Sequence, residues 1–274
     1  LHYLDRFVLA TIVSASGTID SKIGECILIS PGAAKTISFP DQILTKAIWN
    51  TARQALTSQS SFLCLHEMPE TTVNVFYDVI NAPISLFIFG AGYDAVPLAS
   101  LAAQIGCRVT VVDDRPAYAK RDRFPGAKEV LHAKCEDLAA SDRLSACSAA
   151  VVMNHNFRRD LAALSILLRC KTEYIGILGP KQRTKRLLEL CQAGPLTAKE
   201  LERIHAPVGL DIGAQTPAEI ALAVLSEIMA RRNGSAGGFL KDKDGPIHSR
   251  KENIALQEEC YPLSVPATVI ACHE

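Results

Sequence analysis

The sequence predicts an α/β protein whose larger part is a parallel sheet covered by helices on both faces, preceded by a small α+β region. Three observations predict it. An apolar run, Ile84 to Phe89, is long enough for one buried strand and leads directly into Gly90-Ala91-Gly92-Tyr93-Asp94-Ala95 and a segment rich in Ala and Leu. A second apolar run, Val109 to Val112, closes on Asp113, roughly 20 residues beyond the glycines. From there apolar runs and helical stretches alternate, the pattern of strands buried on both faces.

The elements follow in order. Residues 1–80 read as a small mixed domain with strands at Phe7 to Ser14 and Glu25 to Ser30 and a turn at Pro31-Gly32. Asp41 can cap a helix whose apolar positions Ile43, Leu44, Ala47, Ile48, Ala52 and Leu56 recur at helical spacing. Phe62 to Leu65 and Val73 to Tyr77 are further strands. No catalytic spacing shows in this part, and Cys26, Cys64 and His66 read as small buried groups or a surface imidazole. Asn81-Ala82-Pro83 marks the boundary to a Rossmann-like domain over 81–232. Its later strands are Glu129 to His132, Ala149 to Met153 and Tyr174 to Leu178, with helices at 136–143 and 159–169 between them. Residues 233–274 open on Asn-Gly-Ser-Ala-Gly-Gly and read as a linker and tail.

The turn after the first strand has the G-x-G-x-x-A form that cradles a pyrophosphate. Gly90 permits the tight turn, Gly92 lets backbone approach a phosphate, and Ala95 lets helix and strand lie close. The helix then offers unpaired N–H groups and a partial positive charge to an anion. Ligands of such sheets sit beyond the carboxyl ends of the strands, which selects four stretches. Besides Gly90, Ala91, Gly92, Tyr93, Asp94 and Ala95 these contain Asp113, which suits a ribose diol, and Arg115, which suits a phosphate. Asn154-His155-Asn156 supplies donors and acceptors, with His155 either an acid/base or a structural imidazole. Gly179, Lys181 and Arg183 start a helix and make either a second anion site or a solvated basic face. Further on, Thr216, Pro217 and Glu219 form a capping box opening a helix over about 217–232. The irregular Gly209-Leu210-Asp211-Ile212-Gly213 before it offers Asp211 as a polar contact over the same cleft.

The composition is globular, 48% hydrophobic and 21% charged over 274 residues, with Lys+Arg and Asp+Glu balanced at 29 each. No global basic field attracts nucleic acid or an anionic membrane. Nine cysteines without a C-x-x-C pair argue against a disulfide framework or structural zinc, and for reduced thiols in a cytoplasm. No metal site is expected. The first residues carry no signal-peptide pattern, and no apolar run approaches membrane-spanning length.

The runs FIFGAGYDAVPLASLAAQIGCRVTVVDDRPAYAKRDRFP, AAVVMNHNFRRDLAAL, YIGILGPKQR and RIHAPVGLDIGAQTPAEIALAVLSEIMA resemble the C-terminal Rossmann domain of the XdhC/CoxI family. ATIVSASG near residue 10 is similar to the start of that family's N-terminal domain. The resemblance implies a chaperone that binds the molybdenum cofactor (molybdopterin), protects it during sulfuration and helps insert it into a molybdenum hydroxylase such as xanthine dehydrogenase. A sulfurtransferase is a further implied partner; the linker before Asn81 and the long tail leave room for a homodimer. The family's N-terminal cysteine motifs are missing. Ser16-Gly17-Thr18-Ile19-Asp20, Ile37-Ser38-Phe39-Pro40-Asp41 and Glu70 to Tyr77 stand in their places, so the sulfur-linked step is in doubt and cannot be moved to Cys26 or Cys64. The competing expectation is an NAD(P)-dependent oxidoreductase, which the glycine turn permits but which lacks a Tyr-x-x-x-Lys pair. Molybdopterin, NAD, NADP and a flavin all remain open as ligands at this point.

Overall fold

The computed structural model describes residues 6–17, 22–30, 42–58, 60–69, 71–191 and 196–244. The Pro31-Gly32 turn, the Asp41 cap, Thr18 to Asp20, Ile37 to Asp41, Glu70 and the tail from 245 onward lie outside the described residues. The chain divides into two compact units, with the cut between Asn81 and Ala82.

The first unit is an antiparallel sheet with one helix. Its elements are β1 (Phe7–Gly17), β2 (Cys26–Ile29), α1 (Gln42–Ser58), β3 (Phe62–Met68) and β4 (Thr71–Ile80), with strand order β2-β1-β4-β3. Alternation decides which face is dry. Val8, Ala10 and Ile12 of β1 and Val73, Val75 and Tyr77 of β4 are buried in one cluster with Leu44, Ile48, Ala52 and Ala55 of α1. Ile43, expected on the apolar stripe of α1, is exposed, and Ala55 completes the stripe. The bulge where β1 shifts register between Ile12 and Ser14 ends that burial. His66 is a core histidine. It is buried, shares a 2.7 Å hydrogen bond with the Tyr77 hydroxyl, and burial pushes its pKa down to about 4.

The second unit is a six-stranded parallel sheet. It is built from β5 (Ser85–Phe89), α2 (Ala95–Gln104), β6 (Arg108–Asp113), β7 (Glu129–His132), α3 (Cys135–Ala139), β8 (Ala149–Val152), α4 (Phe157–Arg169), β9 (Tyr174–Ile177), α5 (Lys181–Leu190), α6 (Ala198–Leu201), β10 (Ile204–His205) and α7 (Pro217–Asn233). The strand order is β10-β9-β8-β5-β6-β7. Chain order therefore reverses between β5 and β8, and the crevice for a ligand opens there. Residues of β5, β6 and β8 point alternately to two cores. Leu86, Ile88, Val111 and Val151 meet Leu98 of α2 and Val224, Leu225 and Ile228 of α7. Phe87, Phe89, Val112 and Val152 meet Leu164 and Leu167 of α4 and Leu187 of α5. Helices on both faces are what near-continuous apolar strands require.

The stretch expected to be helical over 136–143 is split. α3 ends at Ala139, and a single 3₁₀ turn covers Asp142–Ala146. α4 starts at Phe157, because the Asn156 side chain accepts from the Arg159 N–H at 3.2 Å and caps it. The two-residue β10 adds a parallel edge to β9 that no apolar run announces. The capping box of α7 is present as expected, with the Glu219 N–H donating to Thr216 Oγ1 and the Thr216 N–H to Glu219 Oε2.

Candidate functional site

The turn between β5 and α2 is organised by two glycines with different duties. Gly90 has φ +115°, and a Cβ there would stand 2.7 Å from the Met153 carbonyl oxygen and 2.9 Å from Asn154 Cα. Both are backbone at the end of β8, so Gly90 lets the two strands at the crevice close on each other. Gly92 lacks a positive φ, and its absent Cβ leaves room for the carboxylate of Asp94, whose Oδ1 would be 2.6 Å away. The space expected to admit a phosphate beside Gly92 is thus shared with a carboxylate of the chain itself.

Asp94 takes the position of a helix cap, yet makes no side-chain bond to the helix. Its Oδ2 instead meets His155 Nε2 at 2.5 Å across the crevice mouth. His155 follows β8 with φ +53°, a left-handed backbone that costs a non-glycine residue about 1–2 kcal/mol. Its imidazole is 60% exposed, against 16% for the Asp94 side chain. The N–H groups of Gly92, Tyr93 and Asp94 meet no acceptor among the described residues. Three unpaired amides at a helix mouth are a seat for an anion. Arg123 holds the turn, donating to the carbonyl oxygens of Ala91 at 2.6 Å and Tyr118 at 2.9 Å, and to that of Gly92 at 3.4 Å. Nothing in the spacing singled out Arg123; it stands 31 residues past Gly92, in a one-turn 3₁₀ helix.

Asp113 ends β6 but is not open to a ribose. Its side chain is fully buried, and each oxygen accepts twice: Oδ1 from the Arg115 N–H and Nε, both 2.9 Å, and Oδ2 from the Ala91 N–H and Arg115 Nη2, both 2.7 Å. A carboxylate has about four lone-pair sites, and all are filled from within. Burial alone would raise the Asp113 pKa, but the bonds from Arg115 and Ala91 and the Arg115 charge outweigh it and hold the carboxyl below its ordinary range. The pair also occupies Arg115, whose guanidinium lies 3.8 Å from the centre of the Tyr118 ring. Asp113 and Arg115 are therefore a latch between the loops after β5 and β6, bonded to each other where a ribose diol and a phosphate were expected.

In the stretch expected to be either a second anion site or a solvated basic face, the two cations part. Arg183 turns inward under Gly179, which has φ +130°, and forms an ion pair with the fully buried Asp160 of α4. Lys181 is exposed on the helix surface. The other oxygen of Asp160 accepts from the Asn154 backbone N–H at 3.1 Å and from Asn154 Nδ2 at 3.0 Å. Asn154 Oδ1 and the second Nδ2–H meet no partner among the described residues, so this amide keeps both an acceptor and a donor. Asp211 is exposed, on a loop tied to α7 by the Leu210 N–H to the Ala223 carbonyl and by the Gly209 N–H to Glu227.

Beside the latch is a cavity of about 200 Å³ at the carboxyl ends of β5, β6, β7 and β8. Phe89, Val112 and Ala162 give it apolar walls, Asp114 and Glu136 carboxylates, Asn154 an amide, and Lys134, Arg158 and Arg159 cations. Arg159 Nε stands 2.7 Å from Asp114 Oδ1, off the angle of a hydrogen bond, so that this buried oxygen has a charge beside it but no donor aimed at it. Cys135 also lines the cavity, and its thiol is pushed up to about 12 by burial first and then by the negative charges of Glu136, Asp114 and Asp160. It is a neutral S–H at ordinary pH, not a thiolate. Among the described residues no group of three or more His, Cys, Asp or Glu side chains could hold a metal ion, and no helix is long and apolar enough to cross a membrane.

Residues 86–228 match the family described as the XdhC Rossmann domain. A relative from Bacillus subtilis (strain 168), named as a probable subunit of xanthine dehydrogenase, is 39% identical over 163 residues, covering 60% of this chain and 47% of that protein. The molybdenum cofactor insertion chaperone PaoD of Escherichia coli (strain K12) is 28% identical over 175 residues, covering 63% of this chain and 48% of that one. The chain spans about half the length of these two relatives. A crystal structure from Bacillus halodurans, titled a xanthine dehydrogenase, shares the fold with a TM-score of 0.51 and 20% identity, over 85% of this chain and 94% of that one. With more than half of its residues inside the match, crevice and glycine turn included, the chain belongs to the XdhC family.

Proposed function

We propose that this protein is an accessory factor that holds a phosphate-bearing cofactor, the molybdenum cofactor, at the glycine turn and assists maturation of a molybdenum hydroxylase such as xanthine dehydrogenase. The observation that carries the reading is the set of three amides, at Gly92, Tyr93 and Asp94, that meet no acceptor among the described residues, in the turn after β5 where chain order reverses. The names of the relatives from Bacillus subtilis and Escherichia coli support the choice of cofactor and client.

The residues present fit such a group. The amides suit a terminal phosphate, and the adjoining cavity with polar walls suits part of a ring system. The bound cofactor itself would supply a metal-binding dithiolene, and nothing in the chain needs to react with it. The cavity thiol, Cys135, stays protonated, which favours a protein that holds and releases over one that passes sulfur on through a nucleophilic cysteine. The alternative of an NAD(P)-dependent oxidoreductase draws less support, since Asp113 has no lone pair left for a ribose diol.

Small molecules released from protein purified out of cells that make the cofactor, identified by mass spectrometry, test the reading. A molybdopterin species or its oxidation product is expected. Recovery of NAD(H) or NADP(H) with no pterin, together with quenching on NADH or NADPH titration, would reverse the ranking.

A further inference from the structure

We infer that anion binding at the glycine turn is proton-linked through Asp94 and His155: the seat fills as His155 takes up a proton, and without that proton the Asp94 carboxylate disfavours an anion there. The inference rests on the phosphate-holding reading, because the seat it regulates is the one proposed for the phosphate.

Placement comes first. Asp94 supplies one of the three unpaired amides and also brings a negative charge into the same turn, with Oδ1 lying where a Gly92 side chain would be. A carboxylate cannot be remote from the N–H of its own residue. An anion on those amides therefore meets it within a few ångströms, a range at which like charges near a protein surface repel strongly. Turned to the helix, the same carboxylate would cap it. Its Oδ2 instead meets His155 Nε2 at 2.5 Å across the mouth. His155 reaches it from a left-handed backbone, φ +53°, which few non-glycine residues adopt.

Proton chemistry decides the rest. A carboxylate at Nε2 fixes the proton of a neutral imidazole on that nitrogen and leaves Nδ1 as a lone pair. Nδ1 of His155 meets no partner among the described residues, on a side chain 60% exposed. One added proton cancels the Asp94 charge and turns the free nitrogen from an acceptor into a donor. Both changes favour an anion, and by reciprocity a bound anion favours the proton. Around the mouth, Asp113 is bonded to Arg115, Asp114 has Arg159 of α4 beside it, and Asp160 of α4 is paired with Arg183 of α5. Arg123 is bonded to carbonyls and lies 5.5 Å from the centre of the exposed Tyr93 ring. Lys134, Glu136 and Arg158 line the neighbouring cavity, and Lys181 is exposed at the start of α5. Among these ion pairs, only that of Asp94 has a partner of the side-chain type whose charge changes near neutral pH.

Inorganic sulfate is the probe, because its own charge stays constant from about pH 5.5 to about pH 9. It is titrated into the full chain by calorimetry across that range, in two buffers of different ionisation enthalpy so that proton uptake is read directly. Sulfate should bind about tenfold more tightly at the acid end than at the alkaline end, with net proton uptake between them. His155→Gln keeps an N–H for Asp94 but has no proton to gain, so both the pH dependence and the uptake should disappear. Asp94→Asn removes the repelling charge, and sulfate should bind to it at the alkaline end at least about fivefold more tightly than to the native chain. Equal sulfate affinity across the range in the native protein would overturn the proton link whether or not either variant folds, while sparing the phosphate seat. An unchanged profile in a folded His155→Gln chain would overturn it too, as would an Asp94→Asn chain that gains nothing at alkaline pH. No sulfate binding at any pH would sink the seat and the link together.

Discussion

Replacing each of the two turn glycines by alanine should have unequal consequences, because their neighbours differ. At Gly90 the new methyl would lie 2.7 Å from the Met153 carbonyl oxygen, 2.8 Å from its carbon and 2.9 Å from Asn154 Cα. All three are main chain at the end of a central strand and cannot rotate away. The positive φ adds about 1–2 kcal/mol for any residue with a Cβ, and the overlap about 1–3 kcal/mol. A cost of about 3 kcal/mol follows, or roughly 6–12 °C in Tm for a domain of this size. At Gly92 the methyl meets only the Asp94 carboxylate, at 2.6 Å for Oδ1 and 3.8 Å for Cγ. A side chain can turn aside, so Gly92→Ala should cost about 1 kcal/mol or less, near the price of one poor rotamer. That cost should vanish in an Asp94→Ala background, giving a coupling of about 1 kcal/mol in a double-mutant cycle. Urea unfolding of the four chains G90A, G92A, D94A and G92A/D94A reads all of this. A Gly90→Ala protein as stable as the parent, or a Gly92→Ala cost that persists without Asp94, would refute the reasoning.

Three other outcomes follow from the same geometry. Asp113→Asn should destabilise by about 3 kcal/mol at pH 7, since it breaks a buried, fully bonded ion pair. A carboxyl held below its ordinary range contributes stability above its unfolded pKa of about 3.9 and loses it as pH falls through the lower folded value, so urea titrations from pH 7 to pH 3 should show the gap between parent and variant closing only below about pH 4. Thr216→Ala should cost about 1 kcal/mol by removing the cap of α7, measured as a shift in the urea midpoint with an unchanged slope. Alkylation with iodoacetamide at pH 7.5, followed by peptide mapping, should label the exposed Cys26 long before Cys135, whose thiol is pushed up to about 12; rapid labelling of Cys135 would show that the cavity wall is not as buried as described.

Much of the fold was legible because strand-forming runs buried on both sides are continuous in sequence. Ile84 to Phe89 and Val109 to Val112 need no partner to be read, and the Thr216-Pro217-Glu219 signal fixes the start of α7 by local chemistry alone. The two-residue β10 carries too few residues to make a pattern. The site was legible in location but not in occupancy. Strand ends and glycine spacing point to the right loops, whereas the partners of a charged side chain depend on distances that spacing does not contain. Asp113 and Arg115 are two residues apart and pair with each other, and Arg183 finds Asp160 23 residues earlier. A charged residue at a strand end reads as ligand-facing until its counter-ion is known. Arg123, Asp114 and Cys135 were missed for the converse reason: each gains its place only when a loop distant in sequence folds beside it.

Arg123 has a consequence beyond holding a loop. In a trans peptide the carbonyl and the N–H point to opposite sides, so a guanidinium that gathers the carbonyls of Ala91 and Gly92 on one side commits the next two N–H groups to the other. The electrical polarity of the turn is chosen by a residue outside the turn itself. Were that cation lost, the two peptide planes would be free to rotate, and a surface built to welcome negative charge could present oxygens instead.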